Sequence, residues 1–220
     1  MQADFRLPND SNRHAVIGMT GSGKTQAGIW SLSLRSYDKK PWVIVDFKHD
    51  DLIARIPGLE EIDWRKPPPK KAGLYVIRPL PDDQESVDDF LWKIWARENT
   101  GLFIDEGYML DRFSKPLKAI LTQGRSKKIP VISLTQRPAW ISPFLLSESE
   151  FLQIFYLHTP VDLKKMREWV PFQDMPKHGS FHSLWYDVGR NKITTLGAVP
   201  DSAQILQRFE DRRPKRRPLF

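Results

Sequence analysis

The chain contains no cysteine, so a disulfide framework and a thiolate metal centre are both excluded and the fold must rest on packing. It also lacks any apolar run near the roughly 18 residues that a membrane-spanning helix requires. Its first stretch, Met1 to Asn12, is too polar for a secretory signal. A soluble intracellular protein is the expectation. No internal repeat is present, and there is no acidic surplus: the formal net charge is +7, which favours polyanionic partners over acidic ones. Much of that excess sits at the C-terminus, in Arg208, Arg212, Arg213, Lys215, Arg216 and Arg217, opposed locally by Glu210 and Asp211.

What is present is a phosphate-binding signature. Gly18-Met19-Thr20-Gly21-Ser22-Gly23-Lys24-Thr25 matches G-x-x-x-x-G-K-[ST] at every fixed position. Glycines let the backbone curl so that successive N–H groups point at phosphates, and the N-terminus of the next helix adds its positive dipole end. Lys24 is placed for the β- and γ-phosphates and the Thr25 hydroxyl for Mg²⁺. A glycine-rich surface turn is the bland alternative. Order argues against it, because His14-Ala15-Val16-Ile17 reads as a buried strand and the stretch from Thr25 to Leu34 as a proline-free helix with Ala27, Ile29, Trp30 and Leu32.

A second chemical signal follows about 80 residues later. Leu102-Phe103-Ile104-Asp105-Glu106 is an apolar strand that delivers adjacent carboxylates at its C-terminal end. Adjacent side chains on extended backbone diverge, so Asp105 suits a water-mediated Mg²⁺ contact while Glu106 faces an attacking water as general base. Ile129-Pro130-Val131-Ile132-Ser133-Leu134 is the next strand, ending in Thr135-Gln136-Arg137-Pro138. Gln136 carries both a donor and an acceptor, suited to a terminal phosphate and the lytic water.

The remaining segments supply the frame. Trp42 to Asp46 predicts a strand, and Asp46 and Lys48 beyond it are either site-edge residues or parts of a solvated turn. Pro57 to Lys71, with Pro67-Pro68-Pro69, reads as a linker. Leu74 to Ile77 is a further strand, and Val87, Phe90, Leu91, Ile94 and Trp95 recur at helical spacing as core. Ser114 with Pro116 starts a helix that Gly124 ends, Ser142-Pro143 starts a short one, and Phe151 to Leu157 is a fifth strand. Pro160 to Trp169 is a basic amphipathic helix, residues 180 to 196 form a hairpin whose turn projects Arg190 and Lys192, and a last helix spans Ala203 to Phe209. The expected layout is one P-loop ATPase domain over residues 1–207, with its core at about 13–170 and hairpin and helix at 171–207, then a basic tail at 208–220.

Taken together, Gly18 to Thr25, Asp46-Phe47-Lys48, Ile104-Asp105-Glu106 and Thr135-Gln136-Arg137-Pro138 resemble the FtsK/HerA superfamily of DNA-pumping ATPases over residues 13–170. The resemblance implies an α/β, RecA-like fold of the ASCE type. Its mainly parallel sheet, flanked by helices, has an extra strand between those of the P-loop and the Asp-Glu pair. It also implies ATP and Mg²⁺ as cofactors and a homo-oligomeric ring, usually a hexamer. Lacking membrane segments, coiled linkers and accessory domains, the chain looks like the compact genome-packaging ATPases of tailless, internal-membrane viruses of the tectivirus type. By carry-over, Lys24 and Thr25 bind phosphate and Mg²⁺, Asp105 supports the metal through water, Glu106 polarises water, and Gln136 senses the γ-phosphate.

An arginine reaching a neighbour's nucleotide is expected at Arg125. Pro130 and the basic Lys127-Lys128 depart from the family pattern and leave that assignment open between Arg125 and Arg137. The implied partners are double-stranded DNA, further copies of the chain and capsid or portal-vertex proteins, in the host cytoplasm or at a packaging vertex of the virion. Candidate DNA contacts are Arg190, Lys192, Arg212, Arg213, Lys215, Arg216 and Arg217, although a solvated extension explains the tail equally well. Competing readings are an ATPase that extrudes single-stranded DNA for filamentous-phage assembly, a cellular or plasmid DNA-transfer ATPase, and a nucleotide switch without motor activity.

Overall fold

A computed structural model describes residues 5–212. One nine-stranded sheet runs through the molecule. In chain order its strands are β1 (His14–Ile17), β2 (Pro41–Asp46), β3 (Leu59–Glu61), β4 (Gly73–Ile77), β5 (Gly101–Asp105), β6 (Val131–Thr135), β7 (Phe151–Ile154), β8 (Ser183–Asp187) and β9 (Lys192–Leu196). Across the sheet the order is β3-β4-β2-β5-β6-β1-β7-β8-β9. Strands from β3 to β7 are parallel, and β8 and β9 add an antiparallel edge. The expected RecA-like arrangement holds: β6 lies between β1, which leads into the P-loop, and β5, which carries Asp105.

Helices are α1 (Lys24–Ser33), α2 (Asp51–Ala54), α3 (Gln84–Arg97), α4 (Lys115–Gln123), α5 (Phe144–Ser147), α6 (Pro160–Arg167) and α7 (Ser202–Asp211). Strand residues alternate between the two faces, so each central strand feeds two cores. On one face Val16, Ile44, Phe103 and Ile132 meet Ile29 and Leu32 of α1, Ile53 of α2, and Ile205 and Phe209 of α7. On the other, Ile17, Val45, Ile104 and Val131 meet Phe90 and Ile94 of α3, Ile120 of α4, Leu145 of α5 and Met166 of α6. Burying both faces explains why the central strands are apolar without alternation. The only polar residues that β1 and β5 bury are at their ends, His14 and Asp105.

Several local signals work as read. Ser114 Oγ accepts the Leu117 N–H, capping α4, and Gly124 follows its last turn. Pro130 precedes β6, where no N–H is needed, and its carbonyl accepts the Leu102 N–H at 2.9 Å. One expectation needs correction. Residues 57–71 are not purely a linker, because Leu59–Glu61 pairs in parallel with β4 as the edge strand β3. Three residues with one intermediate and two exposed side chains carry no periodic signal to reveal it.

The basic stretch from Arg208 opens inside a helix. A capping box at Asp201 and Gln204 starts α7, which runs to Asp211. The Arg208 guanidinium lies 5.1 Å from the Trp30 ring centroid. Arg212 donates to the carbonyls of Ser33 and Arg35 and pairs with Asp38 at 3.1 Å, so it ties α7 to the end of α1. Arg213, Lys215, Arg216 and Arg217 lie outside the described residues.

Candidate nucleotide site

The P-loop leaves the sheet anchored on both sides. The Gly18 N–H bonds the Thr135 carbonyl at 3.1 Å and the Met19 N–H the Tyr156 carbonyl at 3.2 Å, which fixes the loop to β6 and to the segment after β7. A Cβ at Gly18 would stand 2.5 Å from Ser22 Oγ and 2.7 Å from Phe155 Cβ, too close for any side chain. Gly23 has φ 95°, and it caps α1 without a side-chain bond. The first N–H groups of α1 are thus left to an anion in the cleft. That cleft encloses about 510 Å³ and is lined by Thr20, Lys24, Thr25, Lys48, Glu106 and Phe181 among others.

Parallel pairing of β2, β5, β6 and β1 brings their C-terminal ends to this side. Asp105 is 1% exposed, and its Oδ1 has no partner among the described residues. Burial pushes its pKa up to about 7, with Glu106, Asp50 and Asp46 adding to the rise and Lys24 opposing it. Glu106 takes left-handed backbone (φ 55°, ψ 66°), which ends the strand and starts a 3-10 turn over Gly107–Met109. One of its oxygens, Oε1, accepts from Lys24 Nζ at 2.9 Å and from Lys48 Nζ; the other, Oε2, is buried and unpartnered. Ser22 Oγ is likewise buried without a partner.

Unpaired buried polar atoms cost free energy unless a ligand completes them. Three of them beside a cleft lined by Lys24 and Lys48 as well as Asp50 and Glu106 fit a phosphate chain with its cation. Thr25 and Asp105 offer oxygen donors of the kind Mg²⁺ prefers. Among the described residues no group of three or more His, Cys, Asp or Glu side chains could hold a metal, so a Mg²⁺ here would need phosphate oxygens as well.

Gln136, just past β6, bridges two parts of the site. Its Oε1 accepts from Thr20 Oγ1 at 2.5 Å, and its Nε2 donates to the Tyr108 hydroxyl at 2.9 Å. The P-loop and the turn after Glu106 are therefore tied through one amide. Arg137 is engaged within its own subunit, 3.3 Å from Asp162 Oδ2 and stacked 4.0 Å from the Trp140 ring centroid. Arg125 is exposed in the turn after α4, at the opposite end of the sheet, with no side-chain partner among the described residues. It does not meet Lys24 within one chain.

Asp46 is fully buried, pairs with Arg78 at 3.3 Å and accepts the Asp50 N–H, so it shapes the turn and does not border the cleft. Lys48 does reach the cleft, and the pull of Glu106, with Tyr108 and Asp105 adding, raises its pKa although burial works against it. At the hairpin, Arg190 lies in a 3-10 turn with its Nε 3.8 Å from Asp187 Oδ2, and Lys192 opens β9. Two residues escaped sequence reasoning. Tyr108 is seen only through its contact with Gln136. Phe181, half exposed with φ 55°, covers Gly23 from a segment without periodic signal.

No protein-family model matches the chain. It is 43% identical over 218 residues to the DNA packaging ATPase P9 of Enterobacteria phage PRD1, covering 94% of this chain and 95% of that one. Among solved structures it is similar to the genome packaging NTPase B204 of Sulfolobus turreted icosahedral virus 2 in complex with ATPγS. The TM-score is 0.69 at 19% identity, over 88% of this chain and 100% of B204. The pCW3 conjugation coupling protein TcpA superposes with TM-score 0.59 at 14% identity, over 90% of this chain and 65% of TcpA. The sheet order and these likenesses agree on the fold, and the extended identity with P9 goes further: this chain belongs to the family of the phage DNA packaging ATPase P9.

Proposed function

We propose that this chain hydrolyses ATP and couples the hydrolysis to the movement of double-stranded DNA into a preformed capsid, working as a homo-oligomeric ring at the packaging vertex. The observation that carries this reading is the identity with P9, sustained along nearly the whole of both chains. The cleft supplies the chemistry. Lys24 and the first N–H groups of α1 hold the phosphates. Thr25 and Asp105 would hold Mg²⁺, which would offset the negative charge of the phosphates.

Lys24 donates to Glu106 Oε1 without nucleotide, and a phosphate chain, with its greater negative charge, draws the ammonium away from the carboxylate. Glu106 then takes a proton from the attacking water, and Gln136 couples the γ-phosphate position to Thr20 and Tyr108. Arg125 acts in the neighbour's site. It is exposed and uncommitted at the far end of the sheet, whereas Arg137 is tied to Asp162 and Trp140. Basic groups at Arg190, Lys192 and the C-terminus contact DNA phosphates without reading sequence. Arg212 is set apart from this group by its bonds to the end of α1. Capsid or portal-vertex proteins receive the ring. Among the described residues no helix is long and apolar enough to cross a membrane.

The test is ATP hydrolysis per subunit as a function of protein concentration with duplex, single-stranded and no DNA. The rate is expected to rise with concentration and with duplex. A rate independent of both contradicts the ring mechanism, and stimulation by single strands alone redirects the reading to extrusion.

A further inference from the structure

Lys48 lines the cleft and belongs to neither the P-loop nor the carboxylate pair. It stands in the turn between β2 and α2, and that turn is built to hold its shape. Asp46 Oδ1 accepts the Asp50 N–H at 3.1 Å, closing the bend across the residues that flank Lys48. Arg78 fixes the second Asp46 oxygen at 3.3 Å. His49 takes the left-handed backbone that the bend requires, and Asp50 caps α2 through the N–H groups of Leu52 and Ile53. A turn fastened at this many points, two residues from a fully buried aspartate, presents Lys48 from a rigid base.

Its target is one oxygen of Glu106. Both Lys24 and Lys48 donate to Oε1, while Oε2 is buried and unpartnered. Two ammonium groups on one oxygen are redundant only in the absence of nucleotide. Once Lys24 has turned to a phosphate chain, Lys48 alone remains to grip the carboxylate. The left-handed backbone of Glu106 does not by itself set the side-chain torsions.

We propose that Lys48 is a positioning residue for hydrolysis: it retains Glu106 Oε1 after Lys24 departs, so that Oε2 faces the attacking water. Sharing the oxygen also sets an order of events. Glu106 is pinned by both lysines until phosphate draws Lys24 away, so the base is freed to act when nucleotide is in place. Lys48 does not touch the reacting atoms in this account; it acts through Glu106.

This rests on the ATPase reading above, and the experiment separates the two. Steady-state ATP hydrolysis of the full chain with duplex DNA is measured for wild type, Lys48→Met and Lys48→Arg, alongside equilibrium binding of a fluorescent ATP analogue. Lys48→Met is expected to lower kcat by about 100-fold, the scale at which misplacing a catalytic group is felt, with KM and analogue affinity within about threefold of wild type. Lys48→Arg, which keeps the charge and the donors, is expected to recover most of kcat. A rise of tenfold or more in KM (about tenfold being the threshold) with kcat kept would make Lys48 a phosphate ligand and overturn the proposal. Unchanged kcat in Lys48→Met, or a loss that Lys48→Arg does not recover, overturns it as well. If Lys48→Met fails to bind the analogue, the Lys48→Gln and Lys48→Arg pair decides by the same criteria. A wild-type chain that does not hydrolyse ATP overturns the ATPase reading instead.

Discussion

The two ends of β1 carry charge in opposite conditions. At its start, Arg13 is clamped: its backbone N–H and guanidinium both bond Glu150, Glu148 stands 3.6 Å away, and the Leu121 carbonyl accepts from the side chain. At its finish, the P-loop faces buried atoms without partners, Ser22 Oγ, Asp105 Oδ1 and Glu106 Oε2. A satisfied, part-buried ion pair fixes one end of the strand against the rest of the molecule, whereas the unsatisfied groups at the other end hold free energy in reserve for a ligand. The same strand therefore separates a structural cluster from a functional one, and substitutions at its two ends should be told apart by what they damage.

The largest effect belongs to the functional end. Glu106→Gln is expected to lower ATP hydrolysis by about 10³-fold while binding of a fluorescent ATP analogue is kept, because the amide preserves the shape but cannot take a proton. Turnover near the wild-type rate would remove Glu106 from the base role. At the structural end, Arg13→Ala should cost about 1 to 2 kcal/mol of stability, seen as a Tm lower by roughly 2 to 8 °C, because the Leu121 carbonyl loses its donor and Glu150 keeps only the backbone N–H. The KM for ATP of the folded fraction should not move. A shift in KM without a shift in Tm would dissolve the distinction between the two ends.

The smallest effect concerns His14, which opens β1. It is 1% exposed, its Nδ1 lies 3.0 Å from Ser31 Oγ, and its pKa is pushed down to about 3 by burial, with Arg35 adding. Its neutral form is the folded form. The contribution to stability is then full above the unfolded value near 6.5 and is lost as pH falls from there toward 3. Between pH 7 and 5.5 the wild type should lose about 1 kcal/mol that a His14→Gln variant does not lose, measurable by urea titration. Parallel pH curves for the two proteins would contradict this.

Most of the sheet was legible because parallel strands buried on both faces are continuous apolar runs, as in Trp42 to Asp46 and Leu102 to Asp105. The P-loop, Asp105, Glu106 and Gln136 stand out in the sequence because the chemistry proposed for them needs fixed residue types at strand ends. What stayed hidden depends on tertiary partners. β3 is a strand only because β4 offers an edge, and Arg212 is a tether only because α1 ends beside it. For Asp46 the sequence left a site-edge residue and a turn residue open, and Arg78, distant in sequence, draws it into the turn. Tyr108 and Phe181 carry no spacing signal and matter through the side chain or loop they touch.

In the proposed ring a second copy of the chain completes the cleft. Arg125→Ala and Lys24→Ala should each abolish duplex-stimulated hydrolysis, Arg125→Ala by about 10³-fold or more. Mixed in equal amounts, the two inactive proteins should regain a substantial part of the activity, because some interfaces then pair an intact P-loop with an intact Arg125. Activity that stays absent across mixing ratios, or an Arg125→Ala protein that hydrolyses ATP like the wild type, would contradict the composite site.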